Sequence, residues 1–284
     1  MILQPINLYK YYQDSVDMLR NVFKRLNLVM DGIACVKIAD PEILRILKEK
    51  LDVDNIDAIS EEYMKNLVTI DYTWFRANKV IKTFDEFELM NAIFGRDGIF
   101  MDCSSLESIK IPHTIDRIPG NCFRRCVKLN NVILPEGITL IGADSFSGCS
   151  ALKEISIPNT VTHIYSGVFM GTNLEKVDLP ESVTVIGSSV FNGLTSLKEV
   201  IIRGHIVIGD AAESNLFKCW ENCTGLESFV MMSEMPMGFG FWMMNGTTCK
   251  IYVPNTAVDT YKTATGWNNL AGRIRPLSEY KGVL

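Results

Sequence analysis

Clustered charge of one sign is missing from this chain, and a class of partner goes with it. The 284 residues carry 28 Lys and Arg against 33 Asp and Glu, for a formal net charge of −5. No basic run is longer than the pairs Lys24-Arg25 and Arg124-Arg125. A nucleic-acid footprint needs a basic patch or stripe, so no nucleic-acid partner is expected. Long apolar runs are missing too. No stretch of 18 apolar residues occurs, short of the roughly 20 that a spanning helix requires, so no membrane insertion is expected. Residues 1–10 lack the basic opening, unbroken apolar core and small-residue cleavage site of a secretory signal. That predicts a chain that stays in the cytoplasm or leaves by a route other than a signal peptide.

Catalytic groups are equally sparse. His113, His163 and His205 are the only histidines, and they sit in non-core slots that read as solvated surface. There is no CxxC pair, no His/Cys cluster, no Gly-rich phosphate loop, no paired-carboxylate motif and no nucleophile elbow. The expectation is no catalytic residue, no metal, no cofactor and no enzymatic activity.

What is present is a repeat. From Leu106 the chain reads Leu106, Ile109, Ile111-Pro112, Ile115, Ile118, Phe123, Cys126, and begins again at Leu129. The second unit repeats the phase as Leu129, Val132, Leu134-Pro135, Ile138, Ile141, Phe146, Cys149. The third runs Leu152, Ile155, Ile157-Pro158, Val161, Ile164, Phe169 and closes one residue early at Leu174. The fourth runs from Leu174 through Val177, Leu179-Pro180, Val183, Ile186, Phe191 and Leu194 to Leu197. Apolar positions held in phase at 23 residues indicate a solenoid, whose units must stack because none can bury its apolar face alone. Leu-x-x-Ile-x-Ile-Pro alternates like a half-buried strand, which the proline ends because it offers no donor to a ladder. Parallel strands stacked between equivalent positions, with little helix inside the repeats, are therefore predicted.

The eight cysteines follow the repeat. Cys103, Cys126, Cys149 and Cys223 each precede a phase leucine by three residues, and Leu194 takes the same slot in another unit. The slot reads as an apolar one that cysteine fills as a small hydrophobe. Buried free thiols are expected in preference to bridges.

Outside the clean repeats, residues 1–78 read as mainly helical. Tyr11, Val16, Leu19, Val22, Phe23 and Leu26 make an amphipathic face, which could pack internally or dock on a partner, internal packing being favoured. Residues 33–38 read as a strand. A helix opens at Asp40-Pro41-Glu42, a cap followed by Pro at the first helical position, with Ile43, Leu44, Ile46, Leu47 and Leu51 as its buried face. Ser60 is a candidate cap for a third, short helix. Ile81, Phe84 and Phe87 suggest a degenerate first turn of the solenoid. At the other end, Ala257, Tyr261, Trp267 and Ile274 are spaced to close the open end of the stack.

The repeats resemble the Treponema-type, or BspA-like, leucine-rich repeat, whose unit reads approximately Leu-x-x-Ile-x-Ile-Pro-x-x-Val-x-x-Ile-x-x-x-Ala-Phe-x-x-Cys-x-x-Leu. The match is fullest at residues 129–149 and extends over about 80–275. The alanine of that pattern is replaced here by Cys122, Ser145, Val168 and Val190. The stretch around residues 40–62 resembles the segment that precedes such repeats in proteins of gut anaerobes and their phages, where an Asp-rich, EF-hand-like loop is common. Calcium spacing fails in this chain: with Asp52 first, the obligatory glycine position is Asp57 and the twelfth is Tyr63. The resemblance implies an α+β fold: a leucine-rich-repeat β-solenoid over 79–284 with a C-terminal cap, preceded by a small mainly helical N-terminal domain over 1–78, a candidate attachment module. It implies non-enzymatic recognition or assembly, as a phage virion or cell-surface adhesion component. Partners would be a protein or glycan on a host or cell surface, or other virion proteins. The alternative is an intracellular protein-interaction scaffold. Absence of a signal favours virion or cytoplasm, with the cell surface reached only by a non-signal route.

Two surfaces are candidates for binding. The non-core strand slots stack into a row of Lys110, Ile133, Ser156, Asp178 and Ile201, beside a second of Ser108, Asn131, Glu154, Lys176 and Glu199. These are of mixed polarity and read equally as a solvated sheet face. Residues 231–244 hold six of the 13 methionines together with Phe239, Phe241 and Trp242. Met237, Phe239, Phe241 and Trp242 form a candidate apolar contact patch, though packing under the last turn is the favoured reading.

Overall fold

The computed structural model of the chain describes residues 35–51, 59–60, 69–208, 218–238 and 243–284. The face at residues 8–26, the Asp-rich loop at 52–58, the residues after Ser60, and Phe239, Phe241 and Trp242 lie outside them.

Alternation along Leu-x-x-Ile-x-Ile puts Ile109, Val132, Val177, Val200, Phe229 and Ile251 inward, all at most 9% exposed. The strands stack in parallel with equivalent residues opposite one another. Thr83–Phe84, Ser108–Lys110 and Asn131–Ile133 form one sheet. Lys176–Leu179, Glu199–Ile202, Ser228–Met231, Lys250–Val253 and Ile274–Pro276 form a second. After each turn the x-Ile segment makes a two-residue strand on another side of the coil. Arg117–Ile118, Leu140–Ile141, His163–Ile164, Val185–Ile186 and Val207–Ile208 line up in a third sheet. Parallel strands with little helix between them are the observed architecture.

One aromatic per turn runs down the axis. Phe75, Phe100, Phe123, Phe146, Phe169, Phe191 and Trp220 stack at centroid distances of 5.0, 5.4, 5.3, 5.7, 5.5 and 5.8 Å, each within 15° of parallel. All are fully buried. The column starts before residue 79, since Phe75 stacks on Phe100 and Thr69–Ile70 pairs in parallel with Ile93–Phe94.

The cysteine slot does more than fill space. The Sγ atoms of Cys103, Cys126 and Cys149 donate to the carbonyls of Phe75, Phe100 and Phe123 on the preceding turn, at 2.9, 3.0 and 3.1 Å. Cys223 does the same to Phe191 at 3.0 Å. In the short third unit Thr172 takes the slot, and its hydroxyl donates within its own turn, to Phe169 at 2.8 Å. These four cysteines, with Cys122, Cys219 and Cys249, are free and buried.

At the N-terminal side, Cys35–Val36 pairs antiparallel with Ile59–Ser60; the short helix that Ser60 is expected to cap lies outside the described residues. The helix Pro41–Leu51 starts where the sequence places it. Asp40 Oδ1 accepts from the amides of Glu42 and Ile43, the ordinary N-cap geometry. Its Oδ2 accepts from the amides of Lys82 and Thr83, which ties the helix to the first strand of the repeats. Ile43, Ile46 and Leu47 are buried in the same core as the repeat residues.

Beyond the last repeat strand the chain forms the helix Val258–Thr263 and the 3-10 helix Trp267–Arg273. Tyr261 and Trp267 are buried edge to face at 5.0 Å. Tyr261 donates to the Ser233 carbonyl and Trp267 to that of Met237, at 2.9 and 3.0 Å. Met231, Met237, Met243 and Met244 are buried, so the described methionines of this detour, apart from Met232 and Met235, are core. Met235 is 67% exposed.

Candidate binding face

The outward slots of the long strands stand in register, as the repeat requires. Ser108 lies opposite Asn131 and Lys110 opposite Ile133. Lys176 lies opposite Glu199 and Asp178 opposite Ile201. The third unit breaks the rows. Residues 152–158 form no strand, and among the described residues no backbone hydrogen bond joins 154–157 to a neighbour. Glu154 and Ser156 are exposed but sit outside any ladder. The core loosens there: Leu134 and Ile155 are only partly buried. A shallow cleft of about 470 Å³ opens beside them, lined by Asn130, Ala151, Lys153, Glu154, Glu175 and Lys176.

Charges on the face are paired along the stack. Lys110 Nζ is 3.1 Å from Glu88, and Lys176 Nζ is 2.8 Å from Glu199. The Arg203 guanidinium grips Asp178 through two bonds of 2.8 Å. Arg203 stands where other units have proline. Ile133 is the exposed apolar member of the row, at 46%.

The row closes at Ile201. This side chain is fully buried, because the face is covered from there on. Ile201, Val230 and Tyr252 occupy the outward slot of three successive units, and Met232, Leu277 and Tyr280 pack over them. After the strand Ile274–Pro276 the chain turns through the 3-10 helix Leu277–Glu279 and lies back across the sheet. The Tyr280 ring meets Tyr252 at 5.2 Å and 61°, and its hydroxyl donates to Glu199 Oε1. Burial would raise the Glu199 carboxyl, but Lys176, Tyr280 and Ser228 hold it below the ordinary value. Burial and then Glu199 push the Tyr280 phenol up. Reading the outward slots one unit at a time missed this cover. The signal was available: three consecutive apolar residues in a slot otherwise of mixed polarity mark a face that something must shield.

His113 and His205 are exposed, and His163 is partly buried with Nδ1 2.8 Å from the Thr162 hydroxyl. No group of three or more His, Cys, Asp and Glu suited to a metal occurs among the described residues. Burial pushes the Cys149, Cys219 and Cys223 thiols up to about 12, which keeps them protonated and poor nucleophiles. Among the described residues no helix is long and apolar enough to cross a membrane.

Six copies of one family repeat lie within the stack. Residues 96–227 match the BspA type leucine-rich repeat region. These repeats belong to that family. Solved structures similar to this leucine-rich repeat chain come from several bacteria. A leucine-rich repeat protein from Bacteroides ovatus is 23% identical, with a TM-score of 0.44, over 67% of this chain and 52% of that one. The T. pallidum leucine-rich repeat protein is 24% identical, with a TM-score of 0.43, over 56% of this chain and 71% of that one. The pneumococcal vaccine antigen PcpA is 18% identical, with a TM-score of 0.44, over 74% of this chain and 54% of that one. This chain thus spans about half the length of the first and third. Among curated proteins none matches it.

Proposed function

We propose that this leucine-rich repeat chain is a non-enzymatic recognition or assembly protein that binds another protein through the outward face of its long strands. The observation that carries the reading is the register of that face. Ser108, Lys110, Asn131, Ile133, Lys176 and Asp178 project from stacked, hydrogen-bonded strands. Such a surface displays side chains on a rigid lattice, which suits an extended partner better than a small substrate. The open part of the rows holds no aromatic residue, which favours a protein over a glycan. In this reading the segment 1–78 attaches the chain to a larger assembly and its helix shields one end of the stack. Residues 255–274 shield the other. The protein serves as a phage virion or cell-surface adhesion component.

Free buried cysteines favour assembly in a reducing compartment. That supports a virion built in the cytoplasm, and equally an intracellular scaffold as the second reading. Mass spectrometry of purified virions and of surface and soluble cell fractions tests the choice. Peptides of this chain in virions or on the outer surface are the expected result. Recovery only from soluble cytoplasm overturns it in favour of the scaffold.

A further inference from the structure

The covered end of the sheet face lies under a segment from outside the repeats. Its floor is apolar: Ile201, Val230 and Tyr252, edged by Met232. Its polar wall is the Glu199 carboxylate, already fixed by Lys176 at 2.8 Å and by the Ser228 hydroxyl at 3.4 Å. Into it the chain's own residues 277–282 place an aliphatic side chain, Leu277, and three residues on a tyrosine whose hydroxyl reaches Glu199. Gly282 then passes so close to the Tyr280 hydroxyl and Glu199 that a Cβ there would collide with the hydroxyl and crowd the carboxylate at 3.0 Å. Backbone bonds hold the segment lightly by comparison. The Ser278 amide donates to Asn255 Oδ1 and the Tyr280 amide to the Leu277 carbonyl, and among the described residues no ladder runs beyond Pro276.

We propose that Glu199, Ile201, Val230, Met232 and Tyr252 form a docking site for a partner segment of the pattern aliphatic-x-x-Tyr-x-Gly, and that residues 277–282 occupy it in cis as a displaceable cover. This deepens the reading of the sheet face as a protein-binding surface. A partner carrying the pattern would displace the cover and gain the outward row as far as Asp178 and Lys176, whose slots are continuous with Ile201 and Glu199. The tether gives the cover an advantage, because a linked segment acts at an effective concentration on the order of millimolar. Free segments of the same sequence therefore bind weakly while the cover is seated.

A fluorescein-labelled peptide of residues 274–284 is titrated against the full chain and against the full chain carrying Leu277→Ala and Tyr280→Ala. The altered chain is expected to bind the peptide at least ~10-fold more tightly than the unaltered one, as removal of a tethered competitor requires. The same peptide with Tyr280→Ala should lose that binding. Equal affinity for both chains, or no binding to the altered chain while its melting curve stays intact, overturns the proposal. Should the altered chain fail to fold, Gly282→Ala displaces the Tyr280 ring end and crowds Glu199 while leaving Leu277 unaltered, and is tested the same way. Amide exchange on the unaltered chain is independent of any variant. Residues 278–284 should exchange well ahead of 250–253, and equal protection would make the tail a fixed part of the fold. Neither outcome depends on where the protein is found in the cell or virion.

Discussion

Replacing Phe146 by Ala should remove a large part of this protein's stability, and the geometry says how much. Phe146 is fully buried midway along the aromatic column. Its ring lies 5.3 Å from Phe123 at 15° and 5.7 Å from Phe169 at 12°. Phe→Ala in a core costs about 3–5 kcal/mol. Neighbouring turns cannot close the void, because both are held in register by backbone bonds such as Phe123 N to Ser145 O at 2.7 Å and Phe146 N to Val168 O at 3.0 Å. The upper part of that range is therefore expected, about 4 kcal/mol, against the roughly 5–15 that a folded domain possesses. Phe146→Leu separates volume from stacking. It keeps most of the apolar bulk and loses two ring contacts worth about 0.5–1.5 kcal/mol each, so about 2 kcal/mol is expected. Phe123→Ala is the internal control, since Phe123 has equivalent neighbours at 5.4 and 5.3 Å, and should match Phe146→Ala. Urea unfolding followed by far-UV circular dichroism and tryptophan fluorescence supplies the values, provided the two transitions coincide. A loss under about 2 kcal/mol for Phe146→Ala, or a Leu variant within about 0.5 kcal/mol of the parent, would refute the column as a principal source of stability.

Asp40→Ala should cost about 2–4 kcal/mol by thermal or urea unfolding, since it removes a helix cap and strands the Lys82 and Thr83 amides; a cost under about 1 sinks the idea that this carboxylate ties helix to repeats. Ser145→Ala should stabilise by about 1 kcal/mol, because the Ser145 hydroxyl is buried with no partner among the described residues, and any loss of melting temperature contradicts that. Amides of 154–157 should exchange faster than those of 176–179, as they lack the ladder bonds of the later strand; equal protection would show the break to be closed in solution. Tail seating should hold across neutral pH and weaken at both extremes. The Glu199 carboxyl is held low, so its contribution is complete above the unfolded value of roughly 4.3 and is lost as pH falls through the folded one. The Tyr280 phenol is raised, so its contribution is complete below roughly 10 and is lost as pH rises through the folded value. Lys176, Asp178 and Tyr252 are the other titratable groups facing the pair, and near-UV dichroism unchanged from pH 2 to 12 would argue against the linkage.

The inward residues were legible because each unit repeats the same environment. An apolar residue at Ile109, Val132 and Val177 is forced by alternation against a shared core, whatever lies elsewhere in the chain. Cysteine in its slot was legible as buried and not as a donor. Its bond runs to a carbonyl on the preceding turn, and a sequence period shows phase without showing which atoms meet. Leu194 in the same slot concealed the role further, since that unit does without the bond. The covered end of the face was hidden for another reason. Whether Ile201 is open depends on Tyr280, which lies 79 positions away and belongs to no repeat. Contacts between a repeat and a unique segment leave no period to read.

That distinction locates the information in this molecule. A stack of identical turns would present identical faces and discriminate nothing along its length. The differences come where a unit departs from the pattern: Arg203 in place of proline, which pins Asp178; residues 152–158, which leave the ladder and open a cleft; and Ile201, Val230 and Tyr252, which turn the outward slot apolar under a segment from outside the repeats. The first two alter a surface that is already open. The third creates a surface that exists for a partner only when the tail is absent, so the strength of the tail's own seat sets the affinity a partner must exceed. Substitutions at Glu199 or Gly282 should therefore change recognition without disturbing the core, whereas substitutions in the aromatic column should change stability without altering the chemistry of the face.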